Sequence, residues 1–233
     1  MALSTAISGV YLPHVTEIVA KREPVQKLSD LFIQIGRWQY YLLALVATGF
    51  IIFGRQFIQI WAGRGFEDAY LITILIILPF TIDLIQNIGL AILQAMNRYT
   101  FRARIYFCVG VLNLGLAIPL GMYYGGIGCA IATAIAMLLG NGLAMNWFYA
   151  KQIYLDIRRF WKEMLHISIT VGICLVIGYI INLIFTSSSI IIFLSKILVY
   201  TIFYIAGIYC FSMSNDEKSK VMNSLKRICN KKS

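Results

Sequence analysis

Charged residues are scarce in this sequence. Only 13% of its 233 residues are Asp, Glu, Lys or Arg, whereas 60% are hydrophobic, and the mean hydropathy is +0.78. Because about a quarter of the residues in a soluble domain are charged, this composition excludes a soluble protein and indicates an integral membrane protein. The apolar runs are continuous, whereas the strands of a membrane β-barrel alternate apolar and polar residues. We therefore predict membrane-spanning helices.

Residues that carry enzyme chemistry are also scarce. The chain has only two histidines, His14 and His166, which lie far apart in the sequence. Its five cysteines form no CxxC pair and lie mostly in apolar runs, which is typical of small buried residues rather than of a disulfide framework or a metal site. The sequence contains no phosphate-binding loop, HExxH or GxSxG motif. We therefore predict no enzyme activity, no metal and no cofactor.

Long apolar runs dominate the sequence instead. A helix needs roughly 20 apolar residues to cross the hydrocarbon layer, and several runs reach that length. The sequence predicts an all-α polytopic bundle with about six full spans, at residues 39–61, 70–95, 104–122, 126–149, 166–186 and 189–212. The apolar residues 1–13 are too short to cross and are expected to stop at Pro13, as the truncated end of a helix.

The basic residues predict the orientation of these spans. Of the 20 Lys and Arg residues, 17 fall in four segments on one side of the predicted membrane, at 14–38, 97–104, 150–165 and 213–233. Cytoplasmic loops carry such an excess of Lys and Arg. The C-terminus is therefore expected in the cytoplasm. The net charge of +10 is explained by orientation, so nucleic acid is not an expected partner.

Three cytoplasmic segments have an apolar helical face. We expect each to lie flat among the lipid headgroups, either as a simple anchor or as a binding surface for anionic lipid. Within residues 25–36 the face consists of Val25, Leu28, Leu31, Phe32 and Ile35. Within 151–165 it consists of Ile153, Ile157, Phe160, Trp161 and Met164. In the tail it consists of Val221, Leu225 and Ile228.

Small residues recur every four positions in the span at 126–149. They are Gly128, Ala132, Ala136, Gly140 and Ala144. Such a face lets two helix backbones approach closely. It indicates either static close packing or a helix that moves against a partner.

Polar residues interrupt the span at 70–95. Asp83, Asn87 and Gln94 fall on one helical face, with Gln86 beside them. A carboxylate near mid-bilayer costs a few kcal/mol, so Asp83 is expected to face protein or water. Two interpretations of Asp83 stay open. It either forms a coupling-ion or cavity site, or it makes an interhelical hydrogen bond or ion pair.

The basic residues Arg55 and Lys196 are expected either to reach the membrane surface or to line a cationic cavity.

Several stretches together resemble the C-terminal half of a bacterial lipid-linked oligosaccharide flippase of the polysaccharide-biosynthesis, O-antigen type. This family belongs to the multidrug/oligosaccharidyl-lipid/polysaccharide exporter superfamily. The resemblance lies in the order and spacing of five segments: YLPHVTEIVAK (11–21), LSDLFIQIGRWQ (28–39), FGRQFIQIWAG (53–63), ILQAMNRYTFRARIY (92–106) and YGGIGCAIATAIAMLLGNGLAMNWFY (124–149).

This resemblance implies most of the second lobe of a 14-helix flippase, with the N-terminal lobe missing. The implied division is a truncated helix end at 1–13, an amphipathic connector at 14–38, four helices of the transport lobe at 39–149, an interfacial helix at 150–165, two terminal helices at 166–212 and a basic tail at 213–233.

The implied function is translocation of undecaprenyl-pyrophosphate-linked repeat units across the bacterial inner membrane, for O-antigen, capsule or exopolysaccharide. The expected partners are membrane lipid, this lipid-linked substrate, the missing lobe and a polysaccharide polymerase complex. The candidates for headgroup contact are Arg37, Arg55, Arg98 and Lys196. The candidates for a coupling-ion or cavity site are Asp83, Asn87 and Gln94. The alternatives are a cation-coupled multidrug antiporter of the same superfamily and a truncated component that does not transport.

Overall fold

The computed structural model describes residues 2–63, 65–184 and 189–230, with side chains described between residues 9 and 223 of these ranges. The described part of the chain contains helices and no strand. In chain order the helices are α1 (Ala2–Ala20), α2 (Val25–Trp61), α3 (Glu67–Ile85), α4 (Ile88–Ala95), α5 (Tyr99–Met137), α6 (Met145–Gln152), α7 (Ile157–Ile184), α8 (Ile190–Gly207) and α9 (Asn215–Asn230). Two π-helical segments, Leu138–Ala144 and Ile208–Ser212, follow α5 and α8.

Among the described residues, five helices are long and apolar enough to cross a membrane. They are Val25–Trp61, Glu67–Ile85, Tyr99–Gln152, Ile157–Ile184 and Ile190–Ser212. The prediction of an all-α membrane protein is therefore confirmed. The number differs from the predicted six, because the predicted spans at 104–122 and 126–149 belong to one helical stretch of 54 residues.

That long stretch folds back on itself at Gly125. Gly125 has φ 57° and ψ −136°, a backbone conformation that interrupts the helix and that glycine adopts without steric cost. We call residues 99–124 the first arm and residues 126–152 the second arm.

Contacts along both arms show that they are antiparallel. The rings of Phe101 and Phe148 stack with their centroids 3.7 Å apart. Nearer the turn, Thr133 donates a hydrogen bond of 3.3 Å to the side chain of Asn113. The pairing of early residues with late ones places a helical hairpin where the sequence predicted two consecutive spans.

The predicted small-residue face is a packing surface. Four of its five members are buried: Gly128, Ala132, Ala136 and Gly140. A Cβ atom on Gly128 would overlap the backbone carbonyl of Leu120, and one on Gly140 would overlap the side chain of Val109. Both neighbours belong to the first arm, so these two glycines let the arms approach closely.

The predicted connector at 14–38 is not separate from the first span. Residues 25–36 continue into that span within the single helix α2, and Leu28, Leu31, Phe32 and Ile35 are buried in protein. The predicted interfacial helix at 150–165 is divided between the end of α6 and the start of α7. Phe32 packs against Phe160 with ring centroids 4.8 Å apart. The two apolar faces therefore cover each other, and the expectation that they lie against lipid is wrong for them.

The N-terminal end of the chain also differs from expectation. Helix α1 runs through Pro13 to Ala20, because Val15 and Ile18 beyond the proline are buried and hold the helix in place.

At the C-terminal end, α9 begins after a capping box, in which Glu217 N–H donates to the Ser214 hydroxyl and Ser214 N–H donates to the Glu217 carboxylate. The side chains of Leu225 and Ile228, the ends of the predicted regions at 185–186 and 231–233, and residue 1 lie outside the described part.

The chain forms two compact units, which end and begin at Met164 and Leu165. In the first unit, α3 packs against α2 and α5, whereas α4 packs mainly against α1. In the second unit, Ser212 donates a 2.8 Å hydrogen bond to Thr170, and a Cβ atom on Gly207 would lie 2.9 Å from the sulfur of Cys174.

The end of α4 explains one of the motifs in the sequence. Asn97, with φ 55°, follows the helix in the left-handed region. Its N–H donates to the Gln94 carbonyl at 3.0 Å, and the Arg98 N–H donates to the Leu93 carbonyl at 2.8 Å. This Schellman pattern ends helices, and it uses glycine or asparagine at the left-handed position.

Replacing Asn97 with valine should therefore lower the free energy of unfolding by about 1–2 kcal/mol, because a β-branched residue is strained at positive φ. Asn97→Gly should change the free energy of unfolding far less, by a few tenths of the loss in Asn97→Val, because glycine adopts positive φ without steric cost. Thermal unfolding in detergent micelles, followed by circular dichroism, measures both. Equal losses for the two variants would contradict this explanation.

Candidate functional site

The predicted span at 70–95 is broken near its middle. Helix α3 ends at Ile85 and α4 begins at Ile88. The N–H of Gln86 donates to the carbonyl of Asp83, and that of Gly89 donates to the carbonyl of Gln86, at 3.2 and 2.8 Å. Each of these hydrogen bonds joins residues three apart, as in a 3₁₀-helix, instead of four apart as in an α-helix. A short 3₁₀ segment within a helix often marks a hinge.

Asp83 lies directly before this break and is paired with two residues of the first arm. Its Oδ1 accepts hydrogen bonds from the hydroxyl of Tyr106 at 2.9 Å and from Nη2 of Arg102 at 3.3 Å. Tyr106 also lies 3.1 Å from Oδ2 and accepts a 2.9 Å hydrogen bond from Arg102. We call these three residues the Asp83 cluster. The side chains of Asp83 and Arg102 are only 10% and 12% exposed.

Two buried amides lie next to this cluster in the chain. Gln86 and Asn87 are 4% and 6% exposed. Within the described residues, Nε2 of Gln86 and Nδ2 of Asn87 have no hydrogen-bond partner. Leaving a buried amide N–H without a hydrogen-bond partner lowers the free energy of unfolding by about 1–3 kcal/mol. The break therefore holds hydrogen-bonding capacity that the described protein groups do not use.

Tyr149 of the second arm borders the same region. It is buried, its ring packs against Phe32 with centroids 5.5 Å apart, and its hydroxyl interacts electrostatically with Arg102. A Cβ atom on Gly89 would overlap the Tyr149 hydroxyl. Glycine at the start of α4 therefore lets the tyrosine approach the backbone just after the break.

This arrangement can bind anions or polar groups more readily than metal ions. Asp83, the carboxylate of the cluster, already has a guanidinium and a phenol as partners. Among the described residues there is no group of three or more His, Cys, Asp or Glu side chains placed to hold a metal ion. Guanidinium, phenol and amide groups are hydrogen-bond donors, and such donors recognise phosphate or carboxylate oxygens.

The structure separates the residues of the predicted polar face. Asp83 and Asn87 lie at the break and are buried. Gln94 lies on α4 and is exposed. The prediction assumed one unbroken helix over 70–95, and α4 instead departs to pack against α1.

The four basic candidates have different partners. Arg37 is buried, forms an ion pair with Glu163 and donates a 2.8 Å hydrogen bond to Tyr41. Arg98 is exposed and donates a 2.8 Å hydrogen bond to the carbonyl of Gln152.

The other two candidates lie at the α2–α3 turn and in the second unit. Arg55 is exposed and lies over the ring of Tyr70, 4.9 Å from its centroid. It lines a cavity of about 360 Å³ together with Gln59 and Glu67. In the second unit, Lys196 is 4% exposed and its Nζ lies 3.3 Å from the side-chain oxygen of Asn182. Its ammonium is held by protein groups there.

Sequence reasoning missed Arg102 and Tyr106. Arg102 was counted among the basic residues of a cytoplasmic connector, whereas it belongs to α5. One signal was available. A buried acid needs a partner, and Arg102 and Tyr106 are spaced four residues apart, so that both fall on one face of a helix.

Comparison with known proteins does not add to these observations. No protein-family model matches the chain, and neither the curated proteins nor the solved structures contain a match.

Proposed function

We propose that this chain is part of a membrane transporter that moves an undecaprenyl-pyrophosphate-linked oligosaccharide across the bacterial inner membrane. The observation that carries the proposal is the broken helix α3–α4 beside the buried Asp83 cluster. Transporters place their binding sites at interrupted helices, where unwound backbone and buried polar groups meet the substrate. Ionisable residues within membrane helices are costly and mark substrate or ion pathways.

The charge of the site favours a flippase over the antiporter. A cation-coupled antiporter needs carboxylates that can bind a cation. Asp83 is instead paired with Arg102, and that pair leaves no net negative charge for a cation. The donor-rich break suits the oxygens of a pyrophosphate better.

In this function the chain works as a second lobe with a first lobe that completes the pathway. The proposal counts the two arms as two crossings, six in all, with the basic segments and the C-terminus on the cytoplasmic side. Arg55 and Arg98 are exposed and can reach a headgroup. Arg37 pairs with Glu163 and acts mainly in holding α2 to the start of α7.

The test is genetic and biochemical. Deleting the gene in its source organism should abolish surface polysaccharide and leave lipid-linked repeat units in the cytoplasmic leaflet. The gene with Asp83→Ala should fail to restore the polysaccharide. The gene with Asp216→Ala, which removes an exposed acid of α9, should restore it fully. Immunoblots of membranes control for protein level.

Two outcomes would contradict the proposal. Normal surface polysaccharide after deletion would exclude the flippase. Unchanged polysaccharide combined with hypersensitivity to cationic drugs would favour the antiporter instead.

A further inference from the structure

The Asp83 cluster and its neighbours contain more hydrogen-bond donors than they use. Arg102 has five N–H groups, Tyr106 has one O–H, and Gln86 and Asn87 each have an amide NH₂. Asp83 is the only anion among these five residues. The amide nitrogens of Gln86 and Asn87 are buried and without partners in the described part of the chain.

The contact between Arg102 and Asp83 is incomplete. A strong arginine–carboxylate pair is bidentate and has N–O distances of about 2.7–2.9 Å. Here a single nitrogen, Nη2, contacts a single oxygen, Oδ1, at 3.3 Å. Tyr106 is the closer partner, since its hydroxyl lies 2.9 and 3.1 Å from the two carboxylate oxygens. Asp83 is therefore held mainly by the phenol. The carboxylate does not occupy the two-nitrogen edge of the Arg102 guanidinium, which also contacts the hydroxyls of Tyr106 and Tyr149.

The geometry points to Arg102 as a binding residue for phosphate oxygens, with Asp83 as a competing internal ligand. A phosphate or pyrophosphate displaces the Asp83 carboxylate from Arg102 and accepts further hydrogen bonds at the break. The Asp83 carboxylate then stays with Tyr106. This inference rests on the proposed function for the identity of the ligand as a lipid pyrophosphate, but the donor arrangement requires only phosphate chemistry.

The amides of the break complete this site. Gln86 and Asn87 follow Asp83 by three and four residues, within the break between α3 and α4. Gln86 and Asn87 offer N–H donors to an anion without adding charge. Tyr106 is 39% exposed, so the cluster reaches the surface of the first arm and a ligand can approach it from that side.

The competition predicts an unusual result for Asp83→Asn. Asparagine keeps an oxygen that accepts the Tyr106 hydrogen bond but loses the charge that attracts Arg102. Asp83→Asn should therefore bind pyrophosphate more tightly than the unmodified protein, by about tenfold, which is the value of one charge-assisted hydrogen bond. Arg102→Gln should bind about tenfold more weakly.

The experiment measures binding to the purified full chain in lipid nanodiscs. The probes are undecaprenyl pyrophosphate, undecaprenol without phosphate, and inorganic pyrophosphate, and the readout is microscale thermophoresis. The matched control is Arg104→Gln, which removes the same charge two residues further along α5 from an exposed side chain. It should bind like the unmodified protein. Circular dichroism checks that each variant is folded.

The results separate this inference from the proposed function. Tighter binding by Asp83→Asn and weaker binding by Arg102→Gln, for both pyrophosphate probes, supports both. The same pattern with inorganic pyrophosphate alone supports the anion site and contradicts the lipid substrate. Equal binding by Asp83→Asn and the unmodified protein overturns the inference, as does an equal loss in Arg102→Gln and Arg104→Gln. If Arg102→Gln does not fold, the gain in Asp83→Asn decides; if Asp83→Asn does not fold, the loss in Arg102→Gln relative to Arg104→Gln decides.

Discussion

Replacing Asp83 with alanine is expected to lower the free energy of unfolding by about 3–5 kcal/mol, the cost of removing one member of a buried ion pair. The loss arises because Arg102, 12% exposed, is left as a buried cation without its counter-charge. Tyr106 at the same time loses the acceptor of its hydrogen bond. Equilibrium unfolding in mixed detergent micelles, followed by circular dichroism, measures the change.

The double variant tests whether the loss comes from the unpaired charge. With Arg102→Leu added to Asp83→Ala, no charge remains to be buried. A pair in contact typically couples by about 0.5–3 kcal/mol, so the double variant should be more stable than the sum of the single losses predicts. Asp68→Ala is the control on the same helix, because Asp68 is exposed in the first turn of α3. It should cost no more than about 1 kcal/mol through the helix dipole. If Asp83→Ala costs no more than this control, the ion pair does not stabilise the fold.

The Asp83 cluster shows which part of the site could be predicted. The residues alone indicated that Asp83 faces protein or water, and one of the two interpretations left open was an interhelical ion pair. The structure confirms burial and pairing. The break could not be predicted, because Gln86 and Asn87 are neither glycine nor proline. Pro79 lies inside α3 and does not end it.

The break also explains why Gln94 is exposed, whereas Asp83 and Asn87 of the same predicted face are buried. Helical periodicity places two residues on one face only while the helix is continuous. The count of residues per turn in α3 does not carry over to α4, because the helix is interrupted between Ile85 and Ile88. A residue of α4 therefore need not lie on the face that the count along α3 predicts. Asn87, which lies in the break itself, is buried as Asp83 is.

The membrane segments were predictable because hydropathy and length determine them. Their connections were less so. An apolar stripe such as Leu28–Phe32–Ile35 has the same spacing whether it covers lipid or another helix. Its partner, Phe160, lies in a segment more than 120 residues later in the sequence, and nothing local to either segment indicates the pairing. Sidedness depends on counts of charged residues rather than on contacts, and the cytoplasmic C-terminus stays a prediction.

The hairpin at Gly125 gives the second large effect. Gly128→Ala should lower the free energy of unfolding by about 1–3 kcal/mol, the usual cost of overpacking. The new methyl group would overlap the backbone carbonyl of Leu120, which cannot move aside as a side chain can. Gly115→Ala is the matched control on the same helix. It has open space around it, so alanine there should raise stability by about 0.5–1 kcal/mol.

The separation of the arms provides a readout independent of stability. Asn113 and Thr133 face each other across the hairpin, with their side-chain oxygens 3.3 Å apart. Cysteines placed at both positions, in a background with the native cysteines replaced by alanine, should be cross-linked readily by copper phenanthroline in membranes. Gly128→Ala should reduce the cross-linked fraction several-fold by forcing the arms apart, and Gly115→Ala should leave it unchanged. Arg102 lies on the first arm and Tyr149 on the second, so separating the arms should also weaken binding at the Asp83 cluster. Close packing at the small-residue face would then support the cluster as well as the hairpin. Full cross-linking in Gly128→Ala would show that the hairpin adjusts elsewhere and that the close approach at Leu120 is not required.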